Sequence, residues 1–95
     1  MNISIDGASI KNEADFHAAL AEKLKLPSHY GRNLDAMWDV LSTDVERPVV
    51  LVWKNSQLSS VALGTRFAKI VEILERVKAQ DASWNLPERF DFYLS

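Results

Sequence analysis

The sequence predicts an α/β fold, in which about four helices pack against a three-stranded, mostly parallel sheet. Stretches at 2–6, 48–53 and 90–94 either alternate apolar with polar residues or are rich in β-branched and aromatic residues, as strands are. The stretches between them carry apolar residues at helical spacing. Because strands separated by helices pair in parallel through right-handed crossovers, the order β, α, α, β, α, α, β indicates this fold class. Residues 1–95 are expected to form one domain.

The first strand and the first helix have clear boundary signals. The strand at 2–6 ends at Gly7, a residue type that is common in turns. Asn12 is a favoured N-cap residue and predicts a helix over 13–25. Pro27 then ends this helix, because the residue before a proline avoids the helical conformation.

A second helix is predicted over 34–43. Asn33 supplies its N-cap, and Gly31 permits an unusual backbone conformation just before it. Apolar residues then recur at i, i+3, i+4 and i+7, which places them on or near one face of a helix. These residues are Leu34, Met37, Trp38 and Leu41.

The second half of the chain predicts a central strand, a long helix and a last strand. Residues 48–53 are apolar at both alternating positions, which is typical of a strand covered by helices on each face. Residues 57–63 are ambiguous, with a short helix ending at Gly64 as one interpretation. A strong apolar stripe predicts a helix over 65–80, and 81–89 are expected to form an irregular connection.

The composition excludes several classes of function. The 95 residues carry a net charge of −2 and no Lys/Arg cluster, which argues against direct nucleic-acid binding. The chain has no cysteine, so it has neither disulfides nor thiolate metal sites. The longest apolar run, 49–53, is too short to span a membrane, and residues 1–6 do not show the basic and then apolar pattern expected of a leader segment. A soluble, cytoplasmic protein without membrane contact is therefore expected.

Residues 33–46, here called the acidic segment, concentrate negative charge on this nearly neutral chain. They contain four carboxylates and no Lys or Arg. Asp35 and Asp39 stack at i and i+4 on the predicted helix, a like-charge pair that costs a few tenths of a kcal/mol in an isolated helix. Trp38 lies at the border between this acidic face and the apolar face. The pattern is unfavourable for a helix and well suited to binding a cationic partner.

The sequence YGRNLDAMWD at 30–39 resembles the barstar family of ribonuclease inhibitors. The resemblance continues in the same order through most of the chain. Its further parts are the residues at 5–7, 15–17, 26–27, 48–53 and 93–95. It implies a three-stranded parallel sheet with about four helices, which agrees with the fold predicted from periodicity.

The resemblance also implies a partner and a site. The partner of this chain would be a small basic ribonuclease or nuclease toxin, and the chain would act as its inhibitor or immunity protein. The carboxylate of Asp39 would occupy the place of a substrate phosphate, where Arg, Lys and His side chains of the nuclease would bind it. No catalytic residue, metal or cofactor is implied. The predicted partner-binding residues are His29, Asn33, Leu34, Asp35, Trp38, Asp39, Ser42, Thr43 and Asp44.

The chain departs from the family pattern at the edge of the predicted site. His29, Asp44 and Arg76 stand where the protein that defines the pattern has Tyr, Trp and Glu. Ser42 and Thr43 replace a Thr-Gly pair. Because a lost aromatic residue and a reversed charge both alter the rim of an interface, we expect the class of target to be kept and its identity to differ.

Two other functions fit the residues less well. The acidic segment suits an adaptor that binds a basic protein other than a nuclease. An enzyme that uses Asp35 and Asp39 as an acid and base pair is disfavoured, because the chain offers no phosphate loop and no nucleophile with a base. His29 beside Asp35 lacks a clear third ligand for a metal.

Three further residues are interpreted from their local spacing alone. His17, inside the first predicted helix, is expected to be a surface or satisfied core residue. Arg76 follows Glu72 at i+4, so a surface ion pair explains both. Trp84 is either a loop anchor or part of an exposed patch.

Overall fold

The fold is a three-stranded parallel sheet with helices on one face, as described for residues 1–95 by a computed structural model. The strands β1 (Asn2–Asp6), β2 (Val49–Lys54) and β3 (Phe90–Leu94) lie in the order β1-β2-β3, and both pairs are parallel. The helices are α1 (Glu13–Leu24), α2 (Leu34–Asp39), α3 (Ser56–Leu63) and α4 (Thr65–Ser83). A 3₁₀ turn (Gly7–Ser9) follows β1, and a π-helical turn (Val40–Asp44) continues α2. The predicted fold class is confirmed.

The sheet is covered on one face only, so the expectation that helices lie on both faces of β2 is wrong. Buried and less buried residues alternate along all three strands. In a sheet of this order, two crossovers of the same hand place their helices on the same side. Val50 and Val52 lie on the open face and are half-buried there, between register neighbours such as Ser4 and Tyr93. The central strand is apolar on both faces because strands flank it on both sides.

Trp53 is the centre of the core. It is fully buried, and its ring lies 4.8 Å from that of Phe16 on α1 and 5.1 Å from that of Phe67 on α4. Its indole N–H donates to the Ser59 hydroxyl at 3.1 Å, and this hydroxyl donates to the Gly7 carbonyl at 3.0 Å. One side chain of β2 therefore ties three helices and the turn after β1 into one packed unit.

The interpretation of 57–63 as a short helix ending at Gly64 is confirmed, whereas the last helix ends later than the sequence indicates. The ambiguous stretch 57–63 lies within a helix, α3, which ends before Gly64, where φ is +59°. Helix α4 continues to Ser83, so the prediction that 81–83 are irregular is wrong. The apolar stripe ends at Val77, but the buried Asp81 extends the inward face with a charged residue. No helix is long and apolar enough to cross a membrane.

Candidate functional site

Helix α2 begins at a side-chain cap on Asn33. Its side-chain oxygen accepts a hydrogen bond from the Ala36 amide at 2.8 Å, and its NH₂ group donates to the Gly31 carbonyl at 3.3 Å. The cap supplies a partner for one of the free amides at the helix N-terminus. The polar atoms of this predicted contact residue therefore serve to position Asp35 and Asp39.

The predicted helix over 34–43 is α-helical only to Asp39 and then widens into a π-helical turn. The Val45 amide donates to the Val40 carbonyl at 3.0 Å, five residues back. The hydroxyls of Ser42 and Thr43 both donate to the Asp39 carbonyl, at 3.3 and 2.7 Å. Serine and threonine hydroxyls compete with backbone amides in this way, and π turns are frequent at functional sites.

None of the four carboxylates of the acidic segment forms an ion pair within the protein. Asp35, Asp39, Asp44 and Glu46 are all exposed, and no Lys, Arg or His nitrogen lies within 4.0 Å of them. The Asp44 carboxylate lies 3.1 Å from the Thr43 hydroxyl, but the single proton of this hydroxyl is donated to the nearer Asp39 carbonyl. The segment thus presents negative charge that nothing in the chain neutralises.

A cleft of about 160 Å³ lies between the loop before α2 and the acidic segment. It is smaller than the roughly 300 Å³ at which small-molecule pockets begin, and it suits one cationic or aromatic side chain. Three predicted contact residues line it, namely His29, Asp39 and Asp44. Asp35 and Trp38 lie on the same segment outside the cleft.

Tyr30 fixes the loop that forms the other wall of the cleft. Its buried hydroxyl lies 2.8 Å from Nδ1 of His17, whose Nε2 lies 2.9 Å from a carboxylate oxygen of Glu13. All groups are satisfied when the tyrosine donates to Nδ1 and the Nε2–H donates to Glu13. Burial, and next the charge of Glu13, raise the pKa of Tyr30, which keeps its hydroxyl protonated. His17 is therefore a satisfied core residue that anchors the loop.

Replacing Tyr30 with Phe is expected to lower the free energy of unfolding by about 1 kcal/mol, because Nδ1 of His17 loses its partner while buried. The measurement is urea unfolding at neutral pH. Tyr93→Phe is the matched control, since Tyr93 is exposed and its hydroxyl donates to Asp91 at the surface. That variant should change stability by less than about 0.5 kcal/mol. Equal losses in both variants would contradict the anchoring role of Tyr30.

Trp38 is half-buried and carries an arginine on its ring. The guanidinium carbon of Arg76, from α4, lies 4.4 Å from the ring centroid. The predicted ion pair between Glu72 and Arg76 does not form. The arginine instead makes a cation–π contact with Trp38 of α2.

Trp84 is 62% exposed, which favours its interpretation as part of an exposed patch over that of a loop anchor.

The far end of the acidic segment is held by residues that the sequence analysis missed. Asp81 is buried and accepts hydrogen bonds from Nε and Nη2 of Arg47 at 2.8 and 3.1 Å and from the Phe90 amide at 2.8 Å. Arg47 also donates to the Val45 carbonyl, and Gln80 donates to the Ser42 carbonyl at 3.3 Å. Burial by itself would raise the pKa of Asp81, but the hydrogen bonds from Arg47 and Phe90 outweigh it and lower the pKa.

No local sequence signal identifies this network, because Arg47 and Asp81 are 34 residues apart.

The chemistry of the candidate site is that of binding. No group of three or more His, Asp or Glu side chains is placed to hold a metal ion. What the segment offers is fixed, unneutralised carboxylates around a small cleft.

Comparison with known proteins identifies the family. The family model described as Barstar (barnase inhibitor) matches residues 1–94. The chain is also 38% identical over 78 residues to a Bacillus subtilis (strain 168) protein named "Putative ribonuclease inhibitor YrdF", an alignment that covers 82% of this chain and 86% of the relative. The resemblance noted in the sequence is thereby confirmed over nearly the whole chain. The chain belongs to the barstar family.

Proposed function

We propose that this chain inhibits a small basic ribonuclease, either a secreted enzyme or a nuclease toxin, by placing the acidic segment in the nuclease active site. Membership of the barstar family makes the chain an inhibitor and not an enzyme. The name of the Bacillus subtilis relative supports a ribonuclease as the class of target. The basic character of the target and the use of the acidic segment are supported by the chemistry of the site.

The observation that carries this proposal is the set of exposed carboxylates without intramolecular partners. A ribonuclease gathers cationic side chains to hold the phosphates of RNA, and a carboxylate satisfies those cations with charge-assisted hydrogen bonds. Asp35 and Asp39 have no salt bridge to break before binding. The Asn33 cap and the π turn fix the segment in advance, which reduces the entropy lost on association.

The predicted contact residues divide into two groups in this proposal. His29, Asp39 and Asp44 line the cleft and would receive a cationic side chain of the nuclease. Asp35 and Trp38 would contact the nuclease beside the cleft. The remaining residues mainly shape the segment, through the cap, the half-buried Leu34 and the two hydroxyls bound to the Asp39 carbonyl. These residues are Asn33, Leu34, Ser42 and Thr43.

An affinity capture from cells and culture medium of the source organism tests the proposal. The wild-type chain and the Asp35→Ala/Asp39→Ala variant serve as paired baits, and mass spectrometry identifies what differs. We expect a small nuclease on the wild-type bait only, and its RNA cleavage should be inhibited by the purified wild-type chain. Recovery of a basic protein without nuclease activity would favour an adaptor. Recovery of the same proteins on both baits would count against the acidic segment as the site.

The association rate is expected to fall steeply with ionic strength. Complementary charges accelerate encounter by roughly 10- to 1000-fold, and ions screen this attraction. Raising NaCl from about 50 to 500 mM should therefore slow association of the chain with the captured nuclease at least tenfold, as measured by stopped-flow fluorescence. The Asp35→Asn/Asp39→Asn variant should show a shallower dependence. A rate that ignores salt would contradict electrostatic steering.

A further inference from the structure

Arg76 is a free cation beside the acidic segment. Its guanidinium lies over the ring of Trp38, and it forms no hydrogen bond or ion pair with any group of the chain. Glu72 and Glu75 are neighbours on α4, yet neither carboxylate lies within 4.0 Å of it. Arg76 is exposed, so its donors are available to a partner.

The contact with Trp38 leaves the N–H donors of the guanidinium without a hydrogen-bond partner in the chain. The guanidinium carbon lies 4.4 Å from the ring centroid, and the group is planar with five N–H donors in a fixed fork. The Trp38 ring also restrains a long side chain that otherwise loses much rotamer freedom on binding. A planar fork held in this way matches a carboxylate, which it can bind through two parallel hydrogen bonds.

The place of Arg76 restricts the kind of nuclease that fits. Trp38 stands between Asp35 and Asp39 in the acidic segment. The guanidinium of Arg76, which lies over Trp38, is therefore next to the surface that would enter a cationic active site. A nuclease cation facing Arg76 would be repelled, at a cost that discriminates between partners. We propose that Arg76 selects ribonucleases that carry an Asp or Glu carboxylate beside their cationic active site. This inference rests on the proposed function.

The test measures dissociation constants for the purified ribonuclease recovered by the wild-type bait. We expect Arg76→Ala to weaken binding roughly 10- to 100-fold, the range for a lost hydrogen bond to a charged group. Arg76→Glu should weaken it further, and Arg76→Lys should lie between Arg76→Ala and wild type, because the charge is kept and the fork is lost. All three variants should stay folded, because the side chain is exposed and its one contact across the fold is the cation–π contact with Trp38.

Lys69→Glu is the matched control for net charge. Lys69 is an exposed residue of α4 about two helical turns from Arg76, and it forms no ion pair. An equal loss of affinity in Lys69→Glu and Arg76→Glu would overturn the proposal, because net charge would explain it. Replacing the acidic residues around the nuclease active site with Ala, one at a time, should reveal one replacement that removes the effect of Arg76→Ala.

Measuring Asp39→Ala in the same assay separates the proposed inhibitory function from the selection role of Arg76. If Asp39→Ala weakens binding and the Arg76 variants do not, the selection role of Arg76 is overturned and the proposed function stands. If neither residue matters, the acidic segment is not the binding surface and both fail. Tighter binding by Arg76→Ala would also overturn the inference, because Arg76 would then face no carboxylate.

Discussion

Replacing Asp39 with Ala is expected to weaken inhibition of the captured ribonuclease by at least about 30-fold, equivalent to 2 kcal/mol or more. Asp39 lines the cleft between the acidic segment and the loop that Tyr30 anchors. Its carboxylate has no partner in the free protein, so the loss falls on the complex. Truncating one member of a desolvated charge pair is costly because the other charge stays buried without a partner.

Glu46→Ala is the matched control for Asp39→Ala, since it removes the same charge from the same segment. Glu46 is exposed and does not line the cleft, so we expect less than about a threefold loss. Inhibition constants and urea unfolding curves should be measured for both variants. Asp39→Ala should not destabilise the protein, because it removes the repulsion with Asp35. Equal losses of inhibition would mean that the charge acts at long range and not through the cleft.

Features of the fold that depend on neighbouring residues could be predicted from the sequence. The N-caps predicted at Asn12 and Asn33 are confirmed, since their side chains accept hydrogen bonds from the amides of Asp15 and Ala36, each at 2.8 Å. The existence of the three strands and the start of α4 at Thr65 are confirmed, with the central strand shifted by one residue from the predicted 48–53. Caps and periodicity act within a few residues of chain, so composition and spacing are enough to identify them.

Features that depend on distant residues could not be predicted. The apolar run of β2 looks the same whether helices or neighbouring strands shield it, so the open face of the sheet was missed. Helix α4 extends to Ser83, and its buried Asp81 forms an ion pair with Arg47. The two residues are far apart in the sequence, so spacing does not predict this pair. The π turn depends on two hydroxyls that bind the Asp39 carbonyl in preference to solvent.

The candidate site shows the same division. The charge and spacing of Asp35 and Asp39 are local, so the acidic segment could be identified from the sequence alone. The cleft also requires the loop before α2, which is positioned by the contact between His17 and Tyr30. The contact between Arg76 and Trp38 joins two helices, whereas local spacing predicted a pair within α4. The assignment of individual residues to the partner interface stays a prediction until the variants are measured.

The largest loss of stability is expected for Asp81→Ala. Its carboxylate is 1% exposed and is bound by Arg47, whose side chain is 12% exposed. Removing one member of a buried ion pair costs about 3–5 kcal/mol, because the other charge remains without compensation. Asp91→Ala is the matched control. Asp91 pairs with Lys78 at 3.1 Å, but these side chains are 32% and 48% exposed. Such a pair contributes about 1 kcal/mol or less.

The pH dependence of the free energy of unfolding provides a second, independent test of the role of Asp81. The pKa of Asp81 is lowered from its ordinary value of 3.8 by Arg47 and Phe90, in spite of burial. A lowered carboxyl pKa adds stability that is fully present above the ordinary value and is lost as pH falls through the lowered one. Urea unfolding of the wild type should therefore lose stability below pH 3.8. Asp81→Asn should lose less over the same range, because it lacks the titrating group.

Loss of Asp81 should also weaken inhibition, because Arg47 links this carboxylate to the Val45 carbonyl of the acidic segment. We expect Asp81→Asn, assayed at a temperature at which it stays folded, to inhibit the nuclease less well than Asp91→Asn. The expected route is a less well fixed segment, so Arg47→Ala, which removes the same link to Val45, should cause a similar deficit, and the double variant should lose little more than either single variant. If Asp81→Asn lost stability while its inhibition stayed equal to that of Asp91→Asn, the network would support the fold and not the geometry of the acidic segment.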